Sequence, residues 1–379
     1  MSSARPAVED ATAETLASAP FVRVVAASDG DSLAAAGILA GACEQRALPF
    51  QLRLGEGDAT EDAVTVAVGP VGVEGDVTLS RPASPVAYRT ATVLDADPDP
   101  VLTLAGTLAA GEGVESAPHA LEAAESAGLI QRRPGVAIPT EEYSAGLAAS
   151  TRLHAAFSGD ESATAALVAE LRDGEPDDEH EDATADSFDR RFASLVAIET
   201  VTADGASPRA ADHVEQALHP YATADGPFAT LGGYADVLGA VARTAPGAGI
   251  PLVLGCDDAR DAALDAWRSH GETVHRLLRE AETARHHELV VVRVPGSDPA
   301  TLPAVARLFR DFRSPEPTVL AVTDGAAAAA GTSGAESVSE AITAAAAAVG
   351  GTARASETTG TARYDTDTTT FTDAFREAL

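Results

Sequence analysis

A chain of 379 residues is longer than one hydrophobic core usually organises, so two domains are expected, and a hydrophobic content of 45% excludes an extended, disordered chain. Twenty-six basic residues stand against 58 acidic ones, for a formal charge of −32. That self-repulsion is tolerable where salt screens it, at a Debye length of about 3 Å in molar salt.

Every basic residue is Arg, and neither Lys nor Asn occurs anywhere. This composition points to a salt-in halophilic archaeon. The net charge therefore does not exclude nucleic acid, because a local Arg cluster still engages phosphates. No apolar run reaches the roughly 18 residues of a membrane span, and the start lacks a basic segment followed by an apolar core. A cytoplasmic protein with no membrane contact is expected. Cys43 and Cys256 belong to no CxxC pattern, so neither a zinc site nor a disulfide framework is suggested, and both are expected to be buried, small apolar side chains.

In chain order, residues 21–27 (FVRVVAA) predict a short buried strand, followed by the acidic loop SDGD and an Ala-rich helix over 33–46. Residues 49–54, 63–69 and 76–79 predict further strands. Strands alternating with helices favour a mostly parallel sheet. Helical spacing follows over 101–110, 117–127, 140–157 and 162–171. The acidic stretch DGEPDDEHEDATAD has almost no apolar surface to bury, so 173–187 is expected to link a first domain (1–172) to a second (188–379). Beyond it, a buried strand is expected at 250–255, a long amphipathic helix over 258–284, and a strand at 288–294. A helix over 299–312, a strand at 318–323, a helix over 338–349 and a polar strand near 352–364 complete the chain. The tracts Ala326 to Ala330 and Ala344 to Ala348 have helix-favouring composition.

The chemistry concentrates at Asp29-Gly30-Asp31, two carboxylates just past the carboxyl end of a strand and before a helix. Ligands bind at that place in open α/β sheets. The pair suits Mn²⁺ or Mg²⁺ through oxygen ligands, with the helix amino end free to hold phosphate. It equally suits plain helix capping and a turn at Gly30. No GxSxG, HExxH, Walker or GxGxxG pattern occurs, and a P-loop lysine is impossible.

The segment 24–36 resembles the first motif of the DHH phosphoesterase superfamily, to which RecJ exonucleases belong: a His, then Asp-x-Asp-Gly, then an Ala-rich helix. Asp29 and Asp31 fall on the two motif carboxylates. Ala27 stands where the family has His, Ser32 where it has Gly, and Gly69-Pro70 where another ligand Asp usually follows a strand. The name-giving Asp-His-His is absent; His286-His287 is expected at a solvated helix end. Near the end of the chain, Gly350-Gly351-Thr352-Ala353 resembles the Gly-Gly-x-His segment with which the family's DHHA1 domain grips nucleic acid. As a plain helix stop the two glycines need no such role. Arg132, Arg133 and Arg152 are candidates for phosphate contact, or ordinary surface arginines.

The resemblance implies a two-domain α/β fold, a DHH-like domain followed by a smaller DHHA1-like one. It also implies Mn or Mg at Asp29 and Asp31, and single-stranded nucleic acid as partner. With most ligands replaced, the reading is a catalytically degenerate RecJ-like protein acting as a scaffold in replication or repair, beside GINS or replicative helicase subunits. The alternatives are an active single-strand exonuclease, with ligands recruited from positions such as Asp95, Asp97 or His119, and a nucleotide phosphatase.

Overall fold

The computed structural model describes residues 8–55, 62–173, 185–256, 258–333 and 337–379. The chain forms two compact units, one of Met1–Arg132 with Tyr221–Trp267, the other of Arg133–Pro220 with Arg268–Leu379. The units are interleaved in sequence: residues 133–172 fall in the second and 221–267 in the first. This is a different division from the one expected at 173–187, a stretch that lies, over 174–184, outside the described residues. The two-part α/β architecture is as expected, with a parallel sheet in the N-terminal part and a separate sheet-rich C-terminal region.

In the first unit, β1 (Val22–Ala26), β2 (Phe50–Leu54), β3 (Val64–Val68) and β4 (Val77–Leu79) form a parallel sheet in the order β2-β1-β3-β4. The register aligns Val22, Val24 and Ala26 with Phe50, Leu52 and Leu54 on one side and with Val64, Val66 and Val68 on the other, giving one continuous apolar face. The helix Gly30–Gln45 follows β1 directly and is buried on all sides from Gly30 to Ala40. It is helical despite two internal glycines because tertiary packing, not propensity, holds it. Helices Ala83–Val93, Pro100–Ala109 and Leu231–Thr244 pack against it. The approach is close: a Cβ on Gly30 would lie 2.8 Å from the Ala109 Cβ, and one on Gly106 would lie 2.6 Å from the Ala34 Cβ. A small antiparallel pair, β5 (Ile130–Arg132) with β6 (Tyr221–Thr223), belongs to the same unit.

The second unit carries a six-stranded sheet in the order β11-β12-β10-β9-β8-β7, from β7 (Glu282–His286), β8 (Leu289–Arg293), β9 (Thr318–Thr323), β10 (Ala326–Gly331), β11 (Thr352–Ala355) and β12 (Thr359–Arg363). Only β8 and β9 pair in parallel. One apolar core takes Val290, Val292, Val319, Ala321 and Ala328, and the core on the opposite face takes Leu289, Val291, Leu320, Val322 and Ala329. Both faces are thus sealed by alternation along the strands.

Six expectations need correction. The one polar strand expected near 352–364 is two, the antiparallel pair β11 and β12. The tract Ala326 to Ala330 is not helical but forms β10, a central strand buried along its whole length. Small side chains let helices Leu302–Leu308 and Val338–Ala348 close on it, and helix propensity, a few tenths of a kcal/mol per residue, is outweighed. The run expected as a strand at 250–255 ends a helix, Pro246–Val253; a short buried apolar run does not reveal its period. The helix expected over 140–157 stops early, as Tyr143–Ala149. The pair His286-His287 sits at the β7–β8 hairpin, where Glu288 has φ +60°, rather than at a helix end. Cys256 is exposed, whereas Cys43 is buried, which pushes its thiol up to about 11.

Because Ala328 faces one packed layer directly, Ala328→Leu is expected to lose about 1–3 kcal/mol by overpacking. Urea unfolding in molar KCl measures it; unchanged stability would contradict the packing described.

Candidate functional site

The acidic loop lies at the carboxyl edge of the parallel sheet, between β1 and helix Gly30–Gln45. Asp29 is that helix's N-cap in extended conformation, and its two carboxylate oxygens accept from the Ser32 N–H and the Ser32 hydroxyl, both at 3.0 Å. Two residues further in, Asp31 is fully sealed from solvent. Its Oδ2 accepts from the Ala83 N–H at 2.7 Å, and its Oδ1 from the Ser84 N–H at 2.9 Å and the Ser84 hydroxyl at 2.7 Å.

Those two amides open helix Ala83–Val93, whose own N-cap, Pro82, supplies no side-chain acceptor. Asp31 therefore caps a helix fifty residues away, where the helix dipole favours negative charge. Burial, and after it the charge of Asp29, raise the Asp31 pKa above the ordinary carboxylate range, while the Ala83 and Ser84 donors pull it back.

The positions singled out by their substitutions do converge here. Ala27 hydrogen-bonds to Val68, and Gly69 follows at φ +72°. A Cβ on Gly69 would lie 2.3 Å from the Ser32 Oγ and 3.2 Å from the Ala27 Cβ. Ser32 thus fills the space that a side chain at 69 would need.

A divalent cation of this class wants about six oxygen ligands in open geometry. Here each of the four oxygens of the two carboxylates already accepts from a protein donor, and Asp31, fully buried, meets an ion only by giving up its hydrogen bonds to Ala83 and Ser84. Among the described residues no group of three or more His, Cys, Asp or Glu could hold a metal. Asp95 and Asp97 are exposed in the turn after helix Ala83–Val93, and His119 is exposed at the start of helix Pro118–Ser126. The donor set does not fit Mn²⁺ or Mg²⁺.

Gly350 and Gly351 stop helix Val338–Ala348: Gly350, at φ +71°, donates to the Ala347 carbonyl, and Gly351 to that of Ala346 at 2.8 Å. Both amides are spent on the helix end. Arg132 is exposed on β5, its guanidinium 5.8 Å from the Tyr221 ring centre, and the Arg133 amide donates to the Pro220 carbonyl. Arg152 is half-buried, with its amide donating to the Ser150 hydroxyl. Arg132 belongs to the first unit and the other four to the second.

Two buried polar groupings in the second unit have no signature in the sequence. The His154 and His275 rings stack 5.3 Å apart with Nδ1 to Nδ1 at 3.1 Å. Since His275 Nε2 lies 2.9 Å from the Ser150 carbonyl, it carries the proton there, and its Nδ1 accepts from His154. Burial first, then His275, Arg313 and Arg279, pull His154 down to about 3. Asp311, also buried, is met by the Arg310 Nε at 2.6 Å and the His213 Nε2 at 3.2 Å.

Uncharacterized protein rrnAC1427 of Haloarcula marismortui is 46% identical over 375 residues, which cover 97% of this chain and 95% of that protein. The chain belongs to the rrnAC1427 family. The family profile described as Uncharacterized protein rrnAC1427, C-terminal domain, matches residues 281–377, from the residue before β7 to the last helix. Among solved structures, CDC45 from Entamoeba histolytica superposes with a TM-score of 0.59 at 9% identity, covering 98% of each chain. RecJ in complex with Mn²⁺ from Thermus thermophilus superposes with a TM-score of 0.51 at 13% identity, covering 98% of this chain. The chain spans 54% of that RecJ. This rrnAC1427-family chain therefore has a RecJ-like and CDC45-like fold, in agreement with the DHH resemblance. Among the described residues no helix is long and apolar enough to cross a membrane.

Asp31→Ala strands the buried Ala83 and Ser84 amides, while the Ser84 hydroxyl, 3.1 Å from the backbone carbonyl of residue 31, keeps an acceptor; a loss of at least about 2 kcal/mol is expected, and less for Asp31→Asn, which keeps a side-chain acceptor. Equal melting temperatures for Asp31→Ala and wild type would refute the capping role. For His154 the folded pKa, about 3, lies below the unfolded 6.5. Its contribution is complete above pH 6.5 and is lost as pH falls toward 3, because only the unfolded chain takes up the proton. His154→Gln is expected to flatten the stability profile in that window by up to about 1.4 kcal/mol per pH unit. Parallel profiles for wild type and variant would exclude it.

Proposed function

We propose that this chain is a catalytically degenerate member of the DHH superfamily that works as a single-stranded nucleic-acid-associated scaffold in replication or repair. The observation that carries this reading is the fate of Asp29 and Asp31. Two-metal hydrolysis needs a clamp on both the attacking and the leaving oxygen, and here both motif carboxylates serve as helix caps. The fold likeness to CDC45 over nearly the full length of both chains supports a place beside GINS or replicative helicase subunits. In this reading the site takes no Mn or Mg. The nucleic-acid contacts are drawn from Arg132, Arg133 and Arg152 and from the surface around Gly350 and Gly351. The protein acts in the cytoplasm, and of the stretch 188–379 the sheet-bearing residues of the second unit, Arg268–Leu379, correspond to a DHHA1-like part.

Incubation of the purified protein with Mn²⁺ and 5′-labelled single strands at molar salt is expected to give no processive degradation. Degradation that Asp29→Asn abolishes would replace the scaffold by the exonuclease reading. Co-purification from native cells in molar salt is expected to recover replication subunits.

A further inference from the structure

β7 is the outermost strand of the six-stranded sheet, with β8 as its one neighbour in the strand order. Its register with β8 is one residue to one from Glu282↔Arg293 to His286↔Leu289, with no bulge to twist it aside. The two-residue turn His287-Glu288 closes on the bonded pair His286↔Leu289, so Glu282, Ala284 and His286 exchange N–H and C=O with β8. Thr283 and Arg285 therefore turn their N–H and C=O groups outward, and among the described residues no backbone group meets them.

Glu282, Thr283, Ala284 and Arg285 are all exposed, whereas at the opposite edge Ala353, Arg354 and Ala355 of β11 are half-buried. Such an edge is a template for another strand. β7 contains neither Pro nor Gly, and of its two permanently charged side chains Arg285 is already neutralised by Glu316 at 2.6 Å.

Symmetry narrows what can lie on this edge. Two copies related by a two-fold axis perpendicular to the sheet pair antiparallel with one residue opposite itself, because only then do facing side chains lie on the same side. Centred on Ala284, every residue of β7 pairs: Ala284, the smallest side chain of the strand, faces itself, Glu282 faces His286, and Thr283 faces Arg285 in the bonded pairs. The carboxylate accepts from an imidazole N–H whether or not the ring is charged. A centre at Arg285 sets Arg285 against itself and Glu282 against Glu288, and a centre at Thr283 leaves only residues 282–284 paired within β7. In a chain of charge −32, the Ala284-centred edge is one of local balance, where a second copy meets no opposing row of carboxylates.

We propose that two copies of this chain pair edge to edge through β7, antiparallel and centred on Ala284, joining their six-stranded sheets into one. The contact draws on backbone groups, so Arg285 keeps Glu316. One short strand from each copy makes a small interface, of the weak and reversible class. The pairing goes beyond the scaffold reading and stands whether or not the chain meets nucleic acid.

Sedimentation equilibrium of the full chain in molar KCl is expected to show a weight-average mass that rises with concentration toward that of two chains. Ala284→Glu and Ala284→Arg each place like charges across the axis at an exposed position, and each is expected to weaken association at least about tenfold. An equimolar mixture of the two is expected to restore it. A chain that stays monomeric at the highest concentration, single variants that associate like wild type, or a mixture no tighter than its components would each overturn the proposal. In a Cys256→Ser background, Ala284→Cys is expected to oxidise to a disulfide-linked dimer, since facing Cα atoms of a non-bonded pair lie about 4.5 Å apart, within disulfide reach. Thr352→Cys, exposed at the opposite edge, is the comparison, and equal cross-linking of the two would place the contact elsewhere and overturn the proposal. Thermal melts accompany each variant; because Ala284→Cys adds no charge, the cross-link carries the test should a charged variant melt early.

Discussion

A carboxylate removed from water must be met by donors, and the way Asp31 meets this requirement organises the first unit. Its three hydrogen bonds tie the start of helix Gly30–Gln45 to the start of helix Ala83–Val93. Around that tie the packing is tight enough that Gly30 and Gly106 leave no room for a side-chain carbon. In an active metallohydrolase, carboxylates at such a place stay available to an ion and leave the loop incompletely satisfied without it. Here the satisfaction is internal, so the loop is a joint between helices. Asp29 caps helix Gly30–Gln45 locally, and Asp31, from the first turn of that helix, caps helix Ala83–Val93.

Much of the fold was legible in the sequence because its strands are short apolar runs with clear punctuation. The residues 21–27, 49–54 and 63–69 lie where β1, β2 and β3 are found, and their alternation with helices correctly implied parallel pairing. The errors arose where composition and environment disagree. Alanine carries a helix preference that a central strand overrides, and the better signal at Ala326 to Ala330 was the Asp324-Gly325 pair before it. Those two residues form the β9–β10 turn, with Thr323 paired to Ala326 and Gly325 at φ +71°. Helix Ala83–Val93 shows little apolar periodicity because its inward side is built from Ala83, Ser84, Ala87, Thr90 and Ala91, small residues that fit against a glycine-bearing neighbour.

The candidate site was legible in place but not in state. Spacing alone put Asp29 and Asp31 at the carboxyl edge of the sheet, and the replacements at Ala27 and Gly69 marked what was missing. What occupies the carboxylates could not be read, because two of the three donors to Asp31 are backbone amides, which have no residue signature. Likewise Ser32 is an ordinary letter in the sequence, and only geometry shows that its hydroxyl fills the space beside Gly69. The His154–His275 pair joins residues 121 apart, each of which reads in isolation as an ordinary histidine.

The arginine-only composition has a consequence for any ligand of this chain. In the second unit many guanidinium groups turn inward and donate to backbone carbonyls: Arg209 to Ser314 and Glu316, Arg307 to Thr151, Arg310 to Gly331, Arg313 to Leu278. A planar group with five donors suits this bridging better than an ammonium would. Arginines used in this way stitch loops to helices and contribute little to an external field. Attraction for a polyanion is then set not by the count of 26 basic residues but by the few that face solvent together, against a surface that is otherwise strongly negative. Association with nucleic acid, on this argument, is confined to small local faces, and salt acts on it in two opposing ways. It weakens each phosphate contact through counterion release, and it screens the repulsion between the strand and the remaining acidic surface. With so few contacts the second effect is large relative to the first, so affinity for single strands is expected to fall less steeply with salt than it does for a basic protein, and to persist under the ionic conditions that this composition fits.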